Sequence, residues 1–265
     1  MKVAIAQISS GREVADNLRL VAEQTTAAAD RGAELVVFPE ATMRAFGNNL
    51  TEIAEPIDGP FGQEVSRIAQ EAGITVVVGM FTPGSEGKVR NTLLVAGPDG
   101  ERIGYDKIHL YDAFGFAESD TVDAGSEAVR IPIGDATVGL SICYDVRFPQ
   151  LYIDHARAGA QVVVVSASWG AGPGKLEQWK LVTQARGVDA TAFVVASAQA
   201  DPKASGVDAR PGAPTGVGHS QVISPFGEVL AEAGAGSELL VVDLDLDRVA
   251  EARRSLPVLE NARLS

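Results

Sequence analysis

The chain of 265 residues contains one cysteine, Cys143, and three histidines. A single thiol excludes any disulfide within the chain and suits a reducing compartment. His109, His155 and His219 stand far apart without a two-histidine metal motif, and one cysteine builds no thiolate cluster, so neither a metal nor another cofactor is expected. Positive charge is also scarce. Lys plus Arg number 22 against 35 for Asp plus Glu, a net charge of -13. Such a surface repels phosphate backbones, and no local basic patch offsets it, so nucleic acid is not an expected partner. Long hydrophobic runs are missing too. No stretch approaches 18 apolar residues in a row, which argues against a membrane span, and the apolar part of MKVAIAQISS is too short for a secretory leader. These absences predict a cytoplasmic protein.

What is present is an ordinary globular composition, 46% hydrophobic and 22% charged. The length allows one large α/β domain over residues 1–265, and no linker or change of composition divides it. KVAIAQI reads as a first strand and GREVADNLRLVAEQTTAAADRGA as a long helix ending at Gly32. ELVVFPE reads as a strand carried into Pro39, with Glu40 beyond its hydrogen-bonding run. A helix over FGQEVSRIAQEAG, the strand ITVVVGMF and two strands about Pro98, Asp99 and Gly100 follow. IHLYDAFGFAESDTVDAGS reads as a polar and aromatic loop.

After it come the strands AVRIPI and ATVGLSIC, a short helix over RFPQLYIDHARAGA and the strand QVVVVSASW. A helix runs from Lys175 to Asp189, followed by the strand TAFVVASAQA, a hairpin around Pro225 to Gly227, and a last strand passing into a helix. Strands alternating with helices predict sheets covered by helices, and VVVV implies strands buried on both faces. Loops 82–90 and 200–218 read as exposed or lid-like.

GAGPGKL, residues 170 to 176, superficially resembles a phosphate loop, but its spacing is one residue short and Leu176 stands where Ser or Thr is required. Cys143 by itself reads most simply as a small core residue. Its position changes when neighbours are counted. Glu40 follows LVVFP, Lys107 follows GERIGYD, and Cys143 follows TVGLSI, so a carboxylate, an ammonium and a thiol lie at strand ends, where ligands gather in parallel or mixed sheets. Together they form a candidate nucleophilic unit. Two alternatives stay open at this point: a thiol paired with His109 or His219 and an acid, and a binding module with no chemistry.

VVFPE, YDKIHLYD, FAES and GLSICYDVRFP, in that order and with the GHSQVISPFGEVL hairpin, resemble the carbon-nitrogen hydrolase, or nitrilase-like, superfamily over essentially the whole chain. The resemblance implies a four-layer α-β-β-α sandwich with two mixed sheets face to face and helices outside. It implies a homodimer through the helices of RFPQLYIDHARA and of Lys175 to Asp189. It implies that Glu40, Lys107 and Cys143 are catalytic and that Glu118 of FAES is the family's additional active-site glutamate, orienting Lys107. In this scheme Glu40 moves the proton of Cys143, and Lys107 with a backbone N–H near Tyr144 faces the tetrahedral oxyanion. Asp145 is expected to be structural, bonded to backbone or to Arg147.

CYDVRFP resembles amidases of the Nit-like branch, which act on omega-amides of dicarboxylic acids and on deaminated glutathione. True nitrilases place Trp and Glu after the cysteine, where this chain has Tyr144 and Asp145. The implied substrate is a small aliphatic amide or omega-amide, hydrolysed with water to a carboxylic acid and ammonia through a thioester. The other activities weighed are deaminated glutathione amidase, nitrilase and N-carbamoyl amino acid hydrolase. Gln178 and Gln184 depart from the usual pattern, where many relatives have His and Arg. Trp169, Tyr111, Phe114 and Met43 are, with Tyr144, the expected walls of the substrate pocket.

Overall fold

The valine run at residues 162 to 165 faces two different cores. In the computed structural model, which describes residues 1–207 and 213–263, Val162 and Val164 point into a layer between two sheets. Val163 and Val165 point into a second layer beneath helices. A strand buried on both faces needs no polar alternation, which is why its sequence is uniformly apolar.

The first sheet holds β1 (Lys2–Gln7), β2 (Leu35–Val37), β3 (Thr75–Pro83), β4 (Val89–Ala96) and β5 (Arg102–Asp106). The second holds β8 (Arg130–Ile133), β9 (Ala136–Ile142), β10 (Val162–Ala167), β11 (Phe193–Ala198), β12 (Gln221–Ile223) and β13 (Val229–Glu232). Strand β14 (Glu238–Asp243) returns to the first sheet beside β1, giving the orders β14-β1-β2-β3-β4-β5 and β13-β12-β11-β10-β9-β8. Between β5 and β8 a small hairpin of β6 (Asp112–Ala113) and β7 (Phe116–Ala117) stands apart from both sheets.

Each sheet is mixed in the same way. β1, β2 and β3 are parallel, with β14 and β4 antiparallel outside them. β9, β10 and β11 are parallel, with β8 and β12 antiparallel outside them. Parallel neighbours require crossovers, and the helices α1 (Val14–Asp30), α2 (Pro60–Ala72), α3 (Pro149–Arg157) and α4 (Lys175–Ala190) supply them. α1 and α2 cover the first sheet through Val21, Phe61, Val65 and Ile68. α3 and α4 cover the second through Leu151, Tyr152 and Trp179. α5 (Asp247–Ser255) and the short α6 (Val258–Asn261) end the chain. The layers are therefore α-β-β-α, as expected from the resemblance.

Three local expectations change. β2 stops at Val37, because Phe38 already bonds across to Val77 and Pro39 lacks the donor needed to continue the ladder. The stretch read as a loop contains the β6–β7 hairpin, with Phe114 and Gly115 at its tip both in the left-handed region. Of loop 200–218, residues 208–212 lie outside the described residues, while Ala200 and Pro202 are buried instead of exposed. No helix among the described residues is long and apolar enough to cross a membrane.

Candidate active site

β2 and β5 run in the same direction, and their carboxyl ends meet the carboxyl end of β9 from the facing sheet. The four candidate residues converge there. Lys107 Nζ donates to Glu40 Oε1 at 3.1 Å and to Glu118 Oε1 and Oε2 at 3.0 and 2.9 Å. Glu40, Lys107 and Glu118 are buried, and Cys143 is partly so.

Glu40 is held by both sheets. Its turn is tight: Ala41 has φ +58°, Thr42 Oγ1 donates to Pro39 O at 2.8 Å, and Met43 N donates to Gly79 O at 2.9 Å. The chain fits there because β3 offers a glycine. A Cβ on Gly79 would lie 2.7 Å from Ala41 N and Pro39 O. From the facing sheet, Ser168 N donates to Glu40 Oε2 at 2.7 Å and Gln199 Nε2 to Glu40 O at 2.9 Å. Ser166 Oγ and Ser197 Oγ satisfy the carbonyls of Phe38 and Val37, which the short β2 leaves near the interface.

Cys143 sits at a sharp junction. β9 ends at Ile142 and the chain enters a single 3-10 turn over Cys143–Arg147, with Cys143 itself at φ +44°. A β-to-turn junction in the left-handed region is strained for a residue with a Cβ and persists only where the surroundings over-determine it. Asp145 supplies that constraint. Its fully buried carboxylate accepts from Ile142 N at 2.9 Å and Tyr105 Oη at 2.7 Å. It also accepts from His109 N at 2.9 Å and His109 Nδ1 at 2.7 Å. Asp145 is thus structural as expected, and of the two expected partners it takes the backbone, at Ile142 and His109, and not Arg147. Arg147 instead donates to Gln178 Oε1 at 2.7 Å and lies 5.2 Å over the Trp169 ring.

The electrostatics favour a neutral thiol beside a charged lysine. Burial pushes the Cys143 thiol well up from its ordinary value and the Glu40 charge adds to this, with Lys107 opposing. Burial alone would lower Lys107, but the carboxylates of Glu40 and Glu118 outweigh it and hold the ammonium far above its usual range. A protonated thiol, a carboxylate at its side and a fixed ammonium can together move a proton and stabilise a developing oxyanion.

The histidines have other partners. His109 is bound to Asp145 and stacked on Phe148 at 3.7 Å; His155 is buried with Nε2 at Leu140 O; His219 Nδ1 meets Glu232. None of these contacts involves Cys143, so the thiol–histidine alternative has no geometric basis.

The expected pocket walls divide. Tyr111 donates its backbone N–H to Glu118 Oε2 at 2.7 Å, and its ring meets Tyr144 edge-on at 5.1 Å, which places both beside the cluster. Phe114 is 87% exposed at the hairpin tip. Trp169 is buried against Trp179, with Nε1 donating to Lys175 O at 2.8 Å, a packing position at the start of α4. Met43 is placed elsewhere. The turn after Glu40 carries it back under α1 and α2, among Phe38, Phe61 and Met80.

One residue of the cluster escaped the sequence reading. Asn91, in β4 and buried, donates through Nδ2 to Glu40 Oε1 at 2.7 Å and lies 3.4 Å from Glu118 Oε1. Two carboxylates on one side fix its amide orientation, since a flipped amide would aim an oxygen at them. Its Oδ1 is left without a partner. The available signal was a polar residue at an inward register position, between Val89 and Leu93.

A carbon-nitrogen hydrolase family model matches residues 2–254. The hydrolase Rv0480c of Mycobacterium tuberculosis is 54% identical over 266 residues, covering 98% of this chain and 95% of that one. Human omega-amidase NIT2 is 34% identical over 270 residues, covering 99% and 95%. Among solved structures, an amidase from Nesterenkonia sp. AN1, with acrylamide added to its active-site cysteine, is 25% identical. Its TM-score is 0.81, with 97% of this chain and 98% of that one covered.

Proposed function

The chain belongs to the carbon-nitrogen hydrolase family and is an enzyme of it; within that family we propose that it is an amidase that cleaves small amides through Cys143. The observation that carries the reading is one ammonium, Lys107, bonded to two buried carboxylates beside a thiol that burial keeps protonated. Such a thiol needs a base at the moment of attack, and Glu40 is the neighbouring carboxylate.

In the proposed cycle Cys143 Sγ bonds to the amide carbon while its proton passes to Glu40. Lys107 and the backbone N–H of Tyr144 face the oxygen that becomes negative. Glu40 then returns the proton to the departing nitrogen, the C–N bond breaks, and ammonia leaves a thioester on Cys143. Water, deprotonated by Glu40, attacks the thioester, and the acid departs as the thiol is restored. Glu118 holds Lys107 charged and in place through its two short contacts.

The names of NIT2 and of the Nesterenkonia enzyme support an amide substrate, as does Tyr144-Asp145 after the cysteine. We propose small aliphatic amides and omega-amides as the substrate range and a homodimer as the working form. Leu181 and Val188, exposed on α4, suit such an interface. The decisive experiment is intact-protein mass spectrometry on enzyme quenched during turnover of a slow amide, beside an ammonia-release assay of amides and nitriles. An acyl adduct on Cys143 and its absence from Cys143→Ala are expected. Turnover with an unmodified Cys143, or of nitriles alone, overturns the reading.

A further inference from the structure

The two oxygens of Glu40 are not equally free to take a proton. A carboxylate offers about four acceptor sites, two on each oxygen. Oε1 accepts from Lys107 Nζ at 3.1 Å and from Asn91 Nδ2 at 2.7 Å, so both of its sites are taken. Oε2 accepts from Ser168 N at 2.7 Å, its one nitrogen or oxygen partner among the described residues. The open acceptor site of Glu40 is therefore on Oε2.

Asn91 creates that inequality. It is 1% exposed, on the face that β4 turns toward the second sheet with Leu93 and Val95. Its carbonyl accepts from Lys107 N at 2.8 Å, which ties the amide to the residue bearing the ammonium. Its Nδ2 also lies 3.4 Å from Glu118 Oε1, while its Oδ1 is buried without a partner. A buried acceptor left unpaired costs stability that a leucine of similar size does not. Packing alone gives no reason for an amide here; the carboxylates do.

We propose that Asn91 is a positioning residue for the base: with Lys107 it closes Glu40 Oε1 to protons, so that Oε2 carries the proton in every transfer of the cycle. This rests on the amidase reading and deepens it. Oε2 takes the thiol proton as the S–C bond forms and gives it to the nitrogen as the C–N bond breaks. It then takes a proton from water as the new C–O bond forms, and returns it to sulfur as the C–S bond breaks. Lys107 and Asn91 stay on Oε1 throughout, and the carboxylate need not rotate between steps. The competing role for Asn91 is to fill the space beside the two carboxylates.

Two substitutions separate these roles by pH. Asn91→Leu keeps the volume and removes the donor. A carboxylate stripped of a donor takes up a proton more readily, so the acid limb of kcat/KM should move to higher pH and the deficit against wild type should widen as pH falls. Asn91→Asp keeps the shape and puts a third carboxyl beside Glu40 and Glu118, with Lys107 between them, Cys143 at the end of β9, and Asp145 bonded by Tyr105 and His109. Clustered carboxylates take up a proton above their ordinary range. That proton goes to the introduced group, because Glu40 and Glu118 each keep Lys107. Its O–H then donates to Oε1 as Nδ2 does in wild type, so this deficit should narrow as pH falls.

The assay uses butyramide or succinamic acid, whichever wild type turns over faster, with a thermal melt of each variant. A hydrogen bond to a charged group corresponds to about ten- to hundredfold, so Asn91→Asp should lie about hundredfold below wild type at about pH 9 and within about tenfold at about pH 6, chiefly in kcat. Asn91→Leu should show the opposite trend; should it fail to fold, the narrowing in Asn91→Asp decides alone. Asn91→Asp at the wild-type rate throughout would make Asn91 a filler and overturn the positioning role, as would a deficit that does not narrow. Either result, with an acyl adduct still formed on wild-type Cys143, leaves the amidase reading standing. Wild type that turns over neither amide and forms no adduct overturns both.

Discussion

Gly79→Ala changes no group that reacts, yet it should disable the enzyme. The added Cβ would sit 2.7 Å from Ala41 N, 2.7 Å from Pro39 O and 2.9 Å from Glu40 Cα, all on one tight turn. Carbon contacts are comfortable from about 3.5 Å, so the turn or β3 must give by about 0.6 to 0.8 Å. β3 is hydrogen-bonded on both sides, to β2 and β4, which leaves the turn to move. Glu40 then shifts against Lys107, Asn91 and Ser168, whose contacts are between 2.7 and 3.1 Å. A misplacement approaching 1 Å costs up to about a hundredfold in rate, and overpacking costs about 1 to 3 kcal/mol of stability. We expect kcat/KM for a good amide to fall about ten- to hundredfold in a protein that still unfolds cooperatively. Gly187→Ala is the control, since its Cβ would meet Ser224 O at 2.9 Å and Ile223 Cγ2 at 3.0 Å, away from Glu40. It should lose comparable stability in thermal denaturation and keep its turnover. Gly79→Ala with turnover within twofold of wild type would refute the claim that Glu40 must be held this closely.

Glu40→Gln and Lys107→Met should each lose turnover by at least about a hundredfold while their circular dichroism stays native; His109→Ala and His219→Ala should lose far less, and the reverse pattern would restore the thiol–histidine mechanism. Because burial and Glu40 raise the thiol above its ordinary value, the neutral form persists as pH rises. Iodoacetamide labelling of Cys143 should therefore still be accelerating with pH at about pH 9, above the ordinary thiol value near 8.5, and a plateau below about pH 8 would contradict the raised thiol. Asn91→Leu removes a donor shared by two carboxylates and should lower kcat about ten- to hundredfold, measured beside a thermal melt; unchanged kcat would make Asn91 a packing residue only.

Much of this architecture is legible in the sequence because burial writes strong patterns. Doubly buried strands such as β10 are uniformly apolar, and Glu40 and Cys143 stand just beyond such strands, while Lys107 follows the half-buried edge strand β5. What was not legible depends on side-chain direction. Asn91 is one polar residue inside a strand, and only the position of β4 beside β3 reveals that it faces Glu40 and Glu118. Met43 lies three residues after Glu40, but the left-handed Ala41 turns the chain back into the core under α1 and α2. Arg147 lies two residues from Asp145, yet His109 and Tyr105, distant in sequence, reach that carboxylate instead. Local spacing identifies candidates; the turn between them decides which face each one takes.

The proposed nucleophile and its proposed base are positioned by different means. Asp145 binds Ile142, immediately before Cys143, and also Tyr105 and His109, which flank Lys107 by two residues on either side. One buried carboxylate thus makes the thiol and the ammonium a single mechanical unit, and it holds Cys143 in its left-handed conformation. Glu40 takes no part in that unit. Its place comes from the gap at Gly79 and from donors at the ends of β10 and β11. The two assemblies meet at a few contacts, Lys107 on Glu40 and Asn91 shared by Glu40 and Glu118. Packing the sheets face to face is what brings the two together, so changes in the inter-sheet core can alter the geometry of the cluster without touching any of its groups. Gly79→Ala perturbs one assembly and leaves the other intact, which is why its effect should fall on turnover more heavily than on folding.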